Sequence, residues 1–347
     1  MSDSIGGAPP SDPSDEIQEA MQRLLELVVP RRNQPLYREM LETIIAMASS
    51  DTETLDLKIA TAALAEMHEA YEMFRPYRNR RKVTVFGSAR TAPHDPLFRQ
   101  TEDVARLVSE AGWMIVTGAG PGIMEAGMLG AGKSSSIGVS IWLPNEQQAN
   151  PVIQNDPKHV VMRYFFTRKL MLVKESHGFV CMPGGFGTLD ETFELLTLTQ
   201  TGKGVPVPVV LLDVPGDPYW REVEDFLREQ LASRSLINPG DLNLFTRTDS
   251  ARTACDTILN FYENYQSMRY IGELIVLRLK RAPNSQQLSR LNHEFSDIID
   301  NDAIRILDDA TTSKRDPGQK DLARLAFPFG KHHFGDLHRL IAEVNSF

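Results

Sequence analysis

The chain has 347 residues, a formal charge of −9 and two cysteines, Cys181 and Cys255. That acidity argues against a general nucleic-acid binder and leaves no polybasic stretch for a membrane surface, and two cysteines exclude a disulfide framework or a cysteine-rich metal site. The hydrophobic share of 41% and charged share of 24% are those of an ordinary globular protein, no apolar run nears the about 18 residues of a membrane span, and residues 1–15 lack an apolar signal core, so a cytoplasmic setting is expected.

Residues 1–14, rich in Ser, Gly and Pro, are expected to be disordered. Residues 15–80 form a helical extension, because apolar residues recur at helical spacing: Leu41, Ile44, Ile45 and Met47, then Leu55, Ile59, Ala63, Leu64, Met67 and Tyr71. From 81 to 270 the pattern becomes short apolar runs at 83–86, 114–116, 137–142, 160–162, 179–182 and 207–212, separated by helical stretches. Buried Val/Ile-rich strands alternating with helices imply a doubly wound, Rossmann-like parallel sheet in an α/β domain. A helix over 251–265 closes it. Residues 271–347 read as a small α+β module with strands at 273–279, 304–307 and 325–328 and helices at 285–299 and 333–344, an order suggestive of a ferredoxin-like fold.

Three turns in the central domain carry chemistry. Gly87 and Ser88 follow the first strand, and Gly118, Gly120 and Gly122 follow the second, with Glu125 in the helix beyond. The third turn, Gly184, Gly185 and Gly187, leaves the strand at 179–182 and runs into a helix that starts near Thr188 and bears Asp190, Glu191 and Glu194. In an open parallel sheet such turns gather at the carboxyl ends of the strands, where ligands sit. A helix starting there offers free N–H groups and its positive dipole end to a phosphate, and a carboxylate beside that cradle implies a phosphorylated substrate that is held and then worked on.

Arg168 and Lys169 lie near the start of another helix, an unfavourable place for cations in the helix dipole, which suggests an anionic partner. Residues 127–134 match the P-loop expression, but a helix precedes them and a strand follows, the reverse of what a P-loop needs. Cys181 reads as core, His177 as a helix-end residue favoured there by its charge, and Glu194 as structural. His332, His333, Asp336 and His338 read as surface residues of a tail helix, so no metal site is expected.

The run from Pro183 through Gly184, Gly185, Phe186, Gly187, Thr188, Leu189 and Asp190 to Glu191 resembles the PGGxGTxxE motif of the LOG (Lonely Guy) family. These are cytokinin riboside 5′-monophosphate phosphoribohydrolases and related bacterial nucleotide nucleosidases, often labelled lysine decarboxylases. The turn at 118–125 resembles the family's first Gly-rich loop, and Thr167, Arg168 and Lys169 its Arg-Lys pair; together the likeness covers roughly 82–232.

The resemblance implies hydrolysis of the N-glycosidic bond of a nucleoside 5′-monophosphate, AMP-like or a cytokinin precursor, to free base and ribose 5-phosphate. It implies Arg168 and Glu191 as catalytic residues. Gly184, Gly185, Gly187, Thr188, Gly118, Gly120, Gly122, Ser88, Lys169 and Glu125 would bind the nucleotide. No cofactor is expected, since a pyridoxal enzyme needs a Schiff-base lysine that neither Lys169 nor Lys174 resembles. The resemblance also implies a homodimer or higher homo-oligomer. The alternative is a non-catalytic nucleotide sensor or carrier of the same fold, with the tail module as a place for an effector.

Overall fold

A computed structural model of the chain describes residues 13–28, 30–144, 149–299, 303–307, 321–330 and 333–347. The chain divides into two compact units, residues 1–64 and 65–347. The disorder expected for 1–14 falls, up to residue 12, outside the described residues, and helix α1 (Pro13–Val28) already begins at Pro13. It is followed by α2 (Gln34–Ser49) and the long α3 (Thr54–Phe74), whose second half belongs to the second unit. In the first unit Arg38 of α2 hydrogen-bonds Gln18 and Gln22 of α1. No helix among the described residues is long and apolar enough to cross a membrane.

The second unit alternates strand and helix: β1 (Lys82–Phe86), α4 (Pro96–Glu110), β2 (Met114–Thr117), α5 (Ile123–Ala131), β3 (Ser136–Ile141), β4 (His159–Met162), α6 (Phe165–Lys174), β5 (Phe179–Cys181), α7 (Phe186–Gln200), β6 (Val209–Leu212), α8 (Tyr219–Phe226), β7 (Thr246–Thr248) and α9 (Ala251–Asn260). The strands form one parallel sheet in the order β4-β3-β2-β1-β5-β6-β7. This is the expected doubly wound α/β architecture. The chain winds outward from β1 to β4 and then crosses back to β5, so β1 and β5 flank the switch point where a crevice opens.

Every residue of β1, β2 and β6 is buried, as both faces are covered. Alternate side chains serve opposite cores: Val83, Val85, Val210 and Leu212 pack with Val104, Ala105 and Ile258 of α4 and α9, whereas Phe86, Val209 and Leu211 pack with Met171, Leu195 and Trp220. Ala70 and Phe74 of α3 are buried in that second core.

The strand β7 escaped the sequence reading because it is a three-residue, mostly exposed edge strand, Thr-Arg-Thr, with no apolar run. The helix expected over 251–265 stops at Asn260. Tyr265 instead opens β8 (Tyr265–Ile271), which pairs antiparallel with β9 (Leu274–Leu279) through an irregularity at Tyr265/Ser267 that blurs the strand alternation. Then come α10 (Ser285–Glu294), β10 (Arg305–Ile306), β11 (Ala323–Pro328) and α11 (Phe334–Asn345). In the resulting antiparallel sheet, β10-β11-β9-β8, β8 and β9 form a hairpin followed by α10, and β11, which pairs antiparallel with β10 and β9, is followed by α11. That order replaces the ferredoxin-like one, because a hairpin rather than a crossover helix joins its first two strands.

The P-loop look-alike at 127–134 runs from the second half of α5 into the short 3-10 turn Lys133–Ser135 that precedes β3. Gly130 lies inside the helix rather than at its end: a Cβ there would strike the Glu102 backbone of α4, and Gly132, at φ +73°, ends the helix.

Candidate active site

The three Gly-rich turns meet at the carboxyl ends of β1, β2 and β5. Ser88 joins them through its backbone: its N–H donates to Pro183 O at 3.3 Å, and its carbonyl accepts from Ile123 N at 3.0 Å. Gly122, at φ +67°, starts α5, and a Cβ there would run into the backbone of Ser88 and Ala89. Between them Ala119 holds a left-handed φ of +59°, uncommon for a residue with a side chain. Asn150 fixes this conformation, its N–H donating to Ala119 O and its amide to Gly120 O. No sequence signal marked Asn150 for that task.

The described helices begin in two ways, with and without a side-chain cap. α4, α9 and α10 start with side-chain caps from Asp95, Ser250 and Asn284. α5 and α7 start on glycines, Gly122 and Gly185, with no side-chain cap. The first helical N–H groups of α7, at Phe186, Gly187 and Thr188, thus face outward at the positive end of its dipole. Space is open where a Cβ of Gly185 or Gly187 would stand. At Gly184 the reverse holds: a Cβ would overlap the buried Thr188 side chain and press on Ser88 N. Tyr219, from the start of α8, donates its hydroxyl to Gly184 O at 2.6 Å and so anchors the turn from outside; the sequence reading missed it.

α7 begins at Phe186, earlier than expected, so Glu191 lies in its second turn. Arg168 is in the first turn of α6, its N–H bonded to Tyr164 O. Its guanidinium is buried; Nε donates to Val139 O at 3.0 Å and Nη1 to Glu191 Oε1 at 3.3 Å. A Cβ on Gly118 would collide with this guanidinium and with Met124, which explains the glycine there.

Burial pushes the Glu191 carboxyl up to about 7, against the opposing pull of Arg168 and Lys169 and with Asp190 and Glu194 adding to the rise. Burial also lowers the Arg168 guanidinium, while Glu191 sustains it. Lys169 itself bridges Asp190 at 2.6 Å and Glu194 at 3.1 Å. The anionic partners of these two cations are therefore carboxylates of the chain itself. Glu125 is half-buried in the first turn of α5 and makes no side-chain hydrogen bond among the described residues.

The remaining candidates lie elsewhere. Cys181 is buried, its thiol pushed up to about 12 by burial. His177 is driven down to about 4 by burial, with Lys82 and Arg81 adding to the fall, so it is neutral rather than a charged helix end. His338 is not on the surface; it is buried near Phe261, and His333 approaches Asp336 at 3.5 Å, as Arg339 does at 3.1 Å. His332 lies outside the described residues. Among those residues no cluster of His, Cys, Asp or Glu has a metal-binding arrangement.

The family model described as possible lysine decarboxylase matches residues 122–258, which run from α5 into α9 and include both members of the Arg168–Glu191 pair. The chain is 31% identical over 91 residues to a probable cytokinin riboside 5′-monophosphate phosphoribohydrolase of Oryza sativa subsp. japonica, covering 26% of this chain and 41% of that protein. It is 28% identical over 101 residues to a cytokinin riboside 5′-monophosphate phosphoribohydrolase of Arabidopsis thaliana (29% and 46%), and 26% identical over 136 residues to one of Mycobacterium tuberculosis (38% and 70%). The matches span less than half the length of the two plant relatives. These similarities bear out the resemblance to the LOG family that the motif at 183–191 carries.

Among solved structures, the molybdenum cofactor binding protein of Rippkaea orientalis aligns with a TM-score of 0.37 at 20% identity, over 52% of this chain and 96% of its own. DNA processing protein A of Helicobacter pylori aligns with a TM-score of 0.36 at 15% identity, over 52% and 80%.

Neither Lys169 nor Lys174 fits the pyridoxal phosphate that a decarboxylase would hold. A Schiff-base lysine needs a lowered pKa. The Lys169 ammonium instead sits between two carboxylates that raise its pKa against desolvation, and Lys174 pairs with its neighbour Glu175 at the surface.

Proposed function

We propose that the chain hydrolyses the N-glycosidic bond of nucleoside 5′-monophosphates, releasing the free base and ribose 5-phosphate. The observation that carries this reading is the buried Arg168–Glu191 pair set one helical turn behind the uncapped start of α7. The phosphate would accept hydrogen bonds from the N–H groups at the start of α7 and from the Thr188 hydroxyl. Gly118, Gly120 and Gly122, with Ser88, would shape the wall against which the nucleoside lies, and Glu125 would meet the sugar.

Cleavage passes through an oxocarbenium-like sugar, as in glycoside hydrolysis. Ionised Glu191 would stabilise that positive charge or take a proton from the attacking water, and a carboxyl near 7 is poised for proton transfer at neutral pH. Arg168 would orient the substrate and keep Glu191 from rising further. Lys169, already held by Asp190 and Glu194, braces α6 against α7 in this reading.

The names of the relatives support the reaction class, and their cytokinin substrates are one member of the substrate class proposed here. A homodimer accords with the apolar residues exposed beside the site: Trp142, Val161, Phe165, Phe166 and Leu170, on or next to β3, β4 and α6. Chromatography of mixtures with AMP, GMP, CMP and isopentenyl-AMP tests the reaction. Free base from at least one is expected; tight binding with no base from any would favour a nucleotide sensor or carrier instead.

A further inference from the structure

We infer that Glu66, on α3, is a positioning residue for Arg168: its carboxylate caps the start of α6 and thereby holds the guanidinium against Glu191. α6 has no side-chain cap of its own, since its N-cap residue is Tyr164. The cap comes from 97 residues earlier in the chain, where Glu66 Oε1 accepts from Arg163 N at 2.9 Å. Its Oε2 accepts from the Thr167 hydroxyl at 2.8 Å and from Tyr164 N at 3.5 Å. Glu66 is only 9% exposed and Thr167 is fully buried, so these bonds are made away from bulk water and are stronger for the charge on their acceptor.

Electrostatics explains why a carboxylate is needed here. The start of α6 gathers Arg163, Arg168 and Lys169 on the positive end of a helix dipole, an arrangement that repels itself. Glu191, Asp190 and Glu194 offset it from the α7 side, and Glu66 offsets it from the α3 side. The strut is anchored at its far end, because Ala70 and Phe74 of the same helix lie in the core beneath the sheet. Thr167 directly precedes Arg168, so loosening the cap frees the first turn of α6. The 3.3 Å contact of Arg168 with Glu191 would lengthen first.

The effect on turnover rests on the proposed reaction, but the effect on Glu191 does not. Four groups face the Glu191 carboxyl: Arg168 and Lys169 from α6, and Asp190 and Glu194 on its own helix. The experiment is an NMR titration of carboxyl-labelled Glu191, assigned with Glu191→Gln, in the full chain and in Glu66→Ala, Thr167→Val and Thr167→Ser, with kcat and KM for AMP measured alongside.

In Glu66→Ala and Thr167→Val the Glu191 titration is expected to move to higher pH, with kcat falling on the order of ten-fold, as small misplacements of catalytic groups do. Thr167→Ser keeps the hydroxyl and should titrate as the wild type does. An unshifted Glu191 titration in folded Glu66→Ala overturns the inference. If that variant does not fold, the same result in Thr167→Val overturns it. Absence of base release by the wild type would defeat the proposed reaction while the titration still decides the role of Glu66.

Discussion

At the scale of single residues, Glu191 concentrates the chemistry. Buried beside one guanidinium, it is held up to about 7 rather than at the 4.5 of an ordinary glutamate. In the proposed reaction its ionised form is the one that would stabilise a cationic sugar or activate water, so the sign follows: kcat/KM should rise as pH increases through about 7. Replacing the carboxylate by the neutral amide in Glu191→Gln removes both roles and should lower kcat by about 100-fold or more, the usual scale for losing a general base. A pH–rate profile checks the first point: a rate independent of pH between 5 and 9, a window of roughly two units to either side of that pKa, would remove Glu191 from the reaction.

At the scale of elements, the site is an arrangement of helix starts on a parallel sheet. Uncapped helices α5 and α7 aim their N-termini into the crevice, while side chains from outside hold the turns that precede them. Tyr219 does this for the turn after β5. Tyr219→Phe removes one hydrogen bond to Gly184 O, a loss of about 1 kcal/mol in stability. Because that carbonyl belongs to the proposed phosphate turn, KM for the nucleotide should rise more than kcat falls. Steady-state kinetics checks this, and an unchanged KM would detach Tyr219 from substrate binding.

This scale also shows what the sequence made legible. Gly118, Gly184, Arg168 and Glu191 stood out because their chemistry and local spacing are readable along the chain, and the parallel sheet followed from its fully buried strands. Glu66, Asn150 and Tyr219 did not, since each acts on backbone groups about thirty or more residues away, a pairing no local pattern encodes. The polar edge strand β7 and the irregular β8 were hidden for the opposite reason: their local pattern is weak and the neighbouring strand makes them.

At the scale of the whole second unit, the core running from the parallel sheet into the antiparallel one encloses His338. Burial lowers that imidazole from 6.5 to about 4. The folded state therefore holds it neutral while the unfolded chain binds a proton below 6.5. Its contribution is fully present above pH 6.5 and is lost as pH falls toward 4, an effect on the order of 3 kcal/mol. His338→Leu should flatten the decline of Tm between pH 7 and pH 4. His177 retains part of the slope, since burial depresses it similarly. Thermal melts across that range check the point, and identical slopes for variant and wild type would contradict it.

The most direct measurement is the time course of free base and ribose 5-phosphate from the best nucleoside 5′-monophosphate, with wild type and Glu191→Gln side by side. The expected result is equal amounts of the two products from the wild type and a rate lower by about 100-fold or more from the variant. No product from folded wild type, or the same rate from both proteins, would contradict the assignment of the Arg168–Glu191 pair to cleavage of the N-glycosidic bond.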